Sequence, residues 1–292
     1  MNAKNRVTGM LFTAPAFVIY SFFIIISVLT SFYYSFNSWN GVGPLKWVGL
    51  NNFIYMIKDP DFLTVLFNTL IMIVWSLFIQ IPMGCILAYL IYRTTRGFRV
   101  FRTAFFLPVV IAPAAVGMMF TLILNSDIGP INKLAAQMGL NAIANIQWLT
   151  NPNVVLYSVM FPMIWQYIGF YFVLFLAGMQ TIPEELFESA LLDGANAFQT
   201  FWRISIPMLS EFFKITIIWC IAGGFKVFDY PYIMTWGGPG LRSAYLGLFM
   251  YRKAFINTDF GYGSTLGISI LVLSLVCTLL FRKLTEKIEV SY

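Results

Sequence analysis

Histidine is absent from the 292 residues, which removes imidazole acid–base chemistry and histidine metal ligation. Charge is nearly as scarce: Asp, Glu, Lys and Arg make up 10% of the chain, against about 25% in an ordinary soluble domain. That excludes a typical soluble enzyme. The three cysteines, Cys85, Cys220 and Cys277, each fall in an apolar run. They read as small buried residues, not as a disulfide set or a metal cluster. No G-x-x-x-x-G-K-[ST] stretch occurs, so ATP chemistry is not written into this polypeptide. Low-complexity tracts, linkers and fixed-period repeats are also missing, and one domain over 1–292 is the simplest organisation.

What is present is apolar surface. Hydrophobic residues make up 59% and the mean hydropathy is +0.78. Charged residues are missing from Val7 to Leu45, from Phe62 to Tyr92 and from Leu134 to Pro183. Uncharged apolar stretches of about 18 or more residues read as membrane spans. An all-α, polytopic membrane protein follows, with six spans expected at about 10–36, 63–92, 103–124, 154–177, 206–227 and 264–281. The first run continues through aromatics to Phe36, too long for a cleaved signal peptide. The fifth is interrupted by Glu211 and Lys214 near one end, where long side chains can reach headgroups.

The net charge of +6 points to topology and not to nucleic acid, because the basic residues lie between apolar runs. With both termini cytoplasmic, eleven Lys and Arg fall inside and six outside, Lys226 being left out at a span end. Four of the eleven are Arg93, Arg96, Arg99 and Arg102, which read as topology anchors or as a site for anionic lipid. Asp229, just past the fifth span, is placed to pair with Lys226.

The segment at about 179–205 is unlike a simple topogenic loop. Thr181 with Glu184 has the spacing of a capping box, and Pro183 suits a first helical turn. Gly194 is placed to end that helix in a left-handed conformation, and Asn196 to cap a second one that Pro207 would limit. A helix–glycine–helix element is expected. Glu184, Glu185, Glu188 and Asp193 outnumber Arg203 and Lys214. Two readings fit: a solvated amphipathic connector, or a negative, small-residue knob offered to a soluble partner.

Glu188-Ser189-Ala190, then Asp193-Gly194-Ala195, then Phe201, Ile204 and Ile206-Pro207 resemble the EAA loop of ABC importer permeases, in the carbohydrate branch related to the maltose-transport inner-membrane subunits. Ala14-Pro15, Trp47 to Phe53, Asn68-Thr69, Phe101 to Pro108, Gly129 to Asn132, Gly237-Gly238-Pro239 and Phe260 to Gly263 follow the same branch in order. Ser189 stands where Ala is usual, and Ile206 where Leu is usual. The resemblance implies the type I importer (MetI-like) permease fold in a bacterial or archaeal cell membrane. It implies a second homologous permease subunit, two ABC ATPase subunits that use ATP and Mg, an extracytoplasmic solute-binding protein and a carbohydrate substrate. No cofactor is expected on this chain itself, nor a nucleic-acid partner. Membrane lipid surrounds the spans. It also implies that Glu188, Ser189, Ala190, Asp193, Gly194 and Ala195 couple to an ATPase groove, with Ala190 and Ala195 keeping the tip slim.

A solute path should lie near the midplane. Met163, Tyr167 and Phe170 recur at i, i+4 and i+7 with Gln166 beside them, a face that suits stacking on a sugar and an amide for its hydroxyls. Ordinary aromatic packing explains the same pattern. Cys220, Gly223 and Gly224 are candidates for the opposite wall, or for close helix packing. No metal or catalytic set emerges. A permease for a non-sugar solute such as a polyol phosphate stays open. A secondary transporter would need inverted repeats and buried ionisable groups, and neither is evident.

Overall fold

The computed structural model describes residues 3–92 and 98–285. Arg93 and Arg96, read above as topology anchors, and Lys287, another of the eleven basic residues counted inside, lie outside the described residues. Among the described residues the regular structure is helical apart from one small hairpin. Asn37–Ser38 and Lys46–Trp47 pair as antiparallel two-residue strands, Asn37 facing Trp47. The chain forms two compact units, one comprising the N-terminal part to Phe62 with Phe249–Val272, the other Leu63–Leu248 with the chain after Leu273.

The first unit is organised by polar side chains at helix ends. Its N-terminal helix runs through a π-helical turn at Ser21–Ile25 and ends at Ser35. The Asn52 amide donates to the carbonyls of Ser35 (2.9 Å) and Asn37 (3.0 Å), groups that the helix end and hairpin leave unsatisfied. Gly261 donates its N–H to Trp39 O, and a Cβ there would press into the Asn37 carbonyl. Buried Asp59 accepts from the backbone N–H of Asp61 (2.9 Å) and the hydroxyl of Tyr262 (2.8 Å), with Lys253 at 3.9 Å. None of the most apolar window of Phe12–Ser35 is buried by the rest of the chain.

The second unit is built round the helix Val155–Met179, 61% of whose most apolar window is buried. A helix that is apolar all round belongs in the interior, and this one packs along Pro60–Tyr92. The contact is close because Gly84 lies against Tyr171 and Phe172: an added Cβ would sit 2.7 Å from Tyr171 Cβ and 2.9 Å from Phe172 N. Phe172, Phe175, Leu176, Met179 and Leu209 fill the core with Ile81 and Cys85. Cys85 and Cys220 are buried and Cys277 half-buried, all as free thiols.

Two of the expected spans are broken. Residues 100–123 form Val100–Val110 and Pro113–Ile123, bent by 91°. Pro113 has no N–H to continue the ladder and disfavours helical geometry at Ala112, which sits at φ −57°, ψ 131°. Ala197–Met208 and Ser210–Met234 are bent by 71° about Leu209, which is fully buried. Among the described residues, four helices are long and apolar enough to cross a membrane, or up to six if each bent pair is one span.

Asn68 and Thr69 tie the segment before Leu248 to the 60–92 helix. Asn68 donates to the carbonyls of Leu241 (3.0 Å), Arg242 (3.2 Å) and Ala244 (3.1 Å). Thr69 Oγ1 accepts from the N–H of Leu246 at 3.1 Å. Tyr245 is wholly buried there, its hydroxyl has no partner, and burial raises its pKa above the ordinary phenol value.

Replacing Gly84 by Val should separate the two long helices of the second unit. Overpacking costs typically about 1–3 kcal/mol, so the thermal midpoint of the detergent-solubilised protein should fall by several degrees. Gly223→Ala, whose Cβ meets open space, should leave the midpoint unchanged or raise it.

Candidate functional site

Midway along the helices of the second unit lies a chamber of about 290 Å³. Met72, Ser76 and Gln80 line it from the 60–92 helix, at a π-helical turn over Ser76–Gln80. The extra residue of such a turn re-aims side chains and often marks a functional position. Met163, Tyr167, Phe170 and Tyr171 come from the central helix. Trp219, Cys220, Gly223 and Gly224 form the wall from Ser210–Gly224, with Lys226, Val227, Asp229 and Tyr230 beyond it. Phe170 and Trp219 rings lie 5.6 Å apart.

Six of the seven residues expected in the path are thus brought together. The seventh, Gln166, is a correction. Its side chain is turned into the protein, donating to the carbonyls of Pro108 (2.9 Å) and Ile111 (2.7 Å) and accepting from the Tyr230 hydroxyl. The break at 111–112 leaves the Ile111 carbonyl without a helical partner and the Pro108 carbonyl with only the 3.2 Å bond from Ile111 N–H, and the amide donates to both. The two glycines also separate: Gly223 faces open space, whereas a Cβ on Gly224 would strike Ile73. The expected Lys226–Asp229 ion pair does not form, although both line the chamber. Asp229 belongs to a new helix whose N-cap, Phe228, has φ −134°, so the two residues are not on one helical face.

Ser76, Gln80, Tyr171, Trp219 and Tyr230 were not singled out from sequence. A glutamine in an uncharged run was the available signal for Gln80. Its amide donates to the carbonyls of Met163 and Ile164, both at 3.1 Å.

In the 179–205 segment a helix spans Glu184–Leu192. The Thr181–Glu184 capping box is not formed: Thr181 Oγ1 donates to Gly178 O (2.8 Å), and Pro183 occupies the N-cap. Gly194 has φ +75°, and the N–H groups of Gly194 and Ala195 reach the carbonyls of Leu191 (3.1 Å) and Ala190 (2.9 Å). These are the two bonds of a Schellman end, which favours glycine because φ is positive. Asn196 then forms a capping box with Gln199, both bonds 2.9 Å. Ser189, Ala190, Asp193, Gly194 and Ala195 share a polar cleft with Gln199 and Arg203. Glu188 is exposed but does not line it. Ala190 is buried behind the turn, not at a slim tip. Three large apolar side chains stand out into the surroundings, Leu191, Leu192 and Phe198, at 70%, 89% and 72% exposure. The segment is tied back by the Tyr89 hydroxyl, which donates to Ala197 O at 2.7 Å.

Packed apolar helices, two of them broken, around a chamber halfway along their length define a polytopic membrane protein. The chain belongs to the binding-protein-dependent transport system inner membrane component family, whose profile matches residues 80–290. It is 34% identical to a probable ABC transporter permease protein, YurN, of Bacillus subtilis, over 96% of each chain. It is 30% identical to the arabinooligosaccharides transport system permease protein AraP of the same organism, over 97% of this chain and 90% of that one. The fold matches a bacterial ABC transporter that imports the acidic polysaccharide alginate, with a TM-score of 0.86 at 21% identity, over 97% of this chain and 96% of that one.

Gln166→Ala would leave the Ile111 carbonyl and the Tyr230 hydroxyl unpaired at the 111–112 break, and the Pro108 carbonyl with only its bond from Ile111 N–H. Each buried polar group left unpaired costs about 1–3 kcal/mol. The thermal midpoint should drop well below that of Tyr167→Ala, which removes a chamber wall but no hydrogen bond that holds the break. Equal midpoints would show that the amide does not hold the bend.

Proposed function

We propose that this chain forms one half of the translocation path of an ABC importer for a sugar or oligosaccharide. The observation that carries the reading is the chamber, faced by Tyr167, Phe170 and Trp219 midway along the helices. Flat aromatic faces suit the apolar face of a sugar ring, and a few polar groups among them fix orientation. AraP, named for arabinooligosaccharide transport, supports this solute class. The other half of the path comes from a second, homologous permease. An extracytoplasmic solute-binding protein delivers the sugar, and two ATPase subunits supply hydrolysis of Mg-ATP. Both termini lie in the cytoplasm, as the eleven-to-six distribution of Lys and Arg favours.

The 184–204 segment is the contact with the ATPase. Leu191, Leu192 and Phe198 offer exposed apolar contacts, framed by Glu184, Glu185, Glu188 and Asp193. Such a mixture is costly facing lipid and suits a soluble partner with an apolar groove and basic rim. Glu188 and Asp193 supply charge-assisted hydrogen bonds. Gly194, Ser189 and Ala195 leave the cleft side of the segment free of bulk.

Two substitutions test the two halves of this reading. Tyr167→Ala removes an aromatic contact worth about 0.5–1.5 kcal/mol, so uptake of labelled sugar should fall up to about tenfold with the ATPase still bound. Gly194→Val forces positive φ on a β-branched residue, at a cost of about 1–2 kcal/mol. It should lose co-purifying ATPase and uptake while inserting normally, and Gly194→Asn, which tolerates that conformation, should retain part of both. Normal uptake and a full complement of ATPase in Gly194→Val would remove the coupling assignment.

A further inference from the structure

Two charged side chains, Lys226 and Asp229, face the chamber without entering an ion pair, unlike Lys214, which meets Glu211 at 2.7 Å. Lys226 follows the last turn of the Ser210–Gly224 helix, its N–H bonded to Gly223 O at 3.0 Å. Asp229 opens the next helix, and its carboxylate acts electrostatically on the hydroxyls of Tyr167 and Tyr230. The interruption between the helices holds the two charges off a common face. Both side chains are exposed, Lys226 just past the end of one helix and Asp229 at the start of the next, so each can reach what enters the chamber. Here two of opposite sign are kept apart on one wall.

Their hydrogen-bond chemistry is complementary. A lysine ammonium only donates and an aspartate carboxylate only accepts, whereas a hydroxyl does both. An uncharged ring carrying several hydroxyls satisfies both groups at once while its apolar face rests on Phe170 and Trp219. A carboxylate or phosphate would match Lys226 but bring like charge to Asp229, and an amine would do the reverse. We propose that Lys226 and Asp229 are specificity-determining residues of this half of the path, gripping an uncharged polyhydroxylated solute between a donor and an acceptor and disfavouring acidic ones. The proposal rests on the sugar-import reading above and narrows its substrate class to neutral saccharides.

The test uses the assembled importer with its binding protein in membrane vesicles, and labelled maltotriose, raffinose, arabinotriose and trigalacturonate as probes. Wild type should import at least one neutral trisaccharide and not trigalacturonate. Lys226→Met and Asp229→Ala should each lower neutral uptake at least tenfold, with the ATPase co-purifying as in wild type. The exchange Lys226→Asp with Asp229→Lys, which keeps one donor and one acceptor, should recover at least a third of the wild-type rate. Wild-type uptake in both single variants overturns the proposal, as does an exchange variant no better than the singles. Trigalacturonate uptake as fast as the neutral sugars overturns it too, while leaving sugar import standing. Uptake of none of the four would instead sink the sugar-import reading itself.

Discussion

Backbone polar groups within an apolar medium have to find partners inside the protein, because neither lipid nor water is there to supply them. An unbroken helix meets that requirement by itself, but it cannot make a chamber. This chain breaks or re-winds helices at 76–80, 111–112 and 209, and at the first two a buried carboxamide lies close by. Gln166 takes the carbonyls of Pro108 and Ile111. Gln80, at the end of the π-helical turn, takes those of Met163 and Ile164. Asn68 does the same for three carbonyls of the segment before Leu246. An amide suits this work because it is uncharged and has two N–H donors on one nitrogen.

The chamber follows from these choices. The π-helical turn directs Ser76 and Gln80 towards the central helix, and the end of the Ser210–Gly224 helix lets Lys226 and Asp229 diverge. Tyr230 joins both parts: it lines the chamber and its hydroxyl bonds Gln166, which in turn holds the 111–112 bend. The chamber wall is therefore continuous, bond by bond, with one of the two sharp bends of the second unit.

Much of this was legible from the residues, and the exceptions have physical causes. The apolar runs placed the long helices, and the glycine–asparagine spacing at 194–196 placed the Schellman end and the second cap. Met163, Tyr167 and Phe170 share the chamber because a 3.6-residue period groups them, and Cys220, Gly223 and Gly224 meet them from the facing helix. Gln166 was misread because a helical period gives direction but not the location of a neighbouring helix break. Lys226 and Asp229 were misread as a pair because their spacing favours one only if the helix continues, and it stops. The π-helical turns left no sequence mark, since any apolar run accommodates one. Asn68-Thr69 was quoted for its resemblance alone, and its reason emerged only when carbonyls 173 to 176 residues away came within reach.

The connection from the 184–204 segment to the chamber is the last step of the argument. Tyr89 donates to Ala197 O, and its ring lies 4.8 Å from that of Phe201, so the start of the 197–208 helix is fixed to the 81–92 helix. The far end of 197–208 meets Leu209, wholly buried in the core, where the chain bends by 71°. Beyond that bend the Ser210–Gly224 helix carries Trp219, Cys220 and Gly223 into the chamber wall. Core side chains are close-packed and yield by discrete repacking more readily than by continuous strain. The exposed Leu191–Leu192 turn is thus linked through a capped, hydrogen-bonded element to the buried Leu209, and from there to the chamber wall.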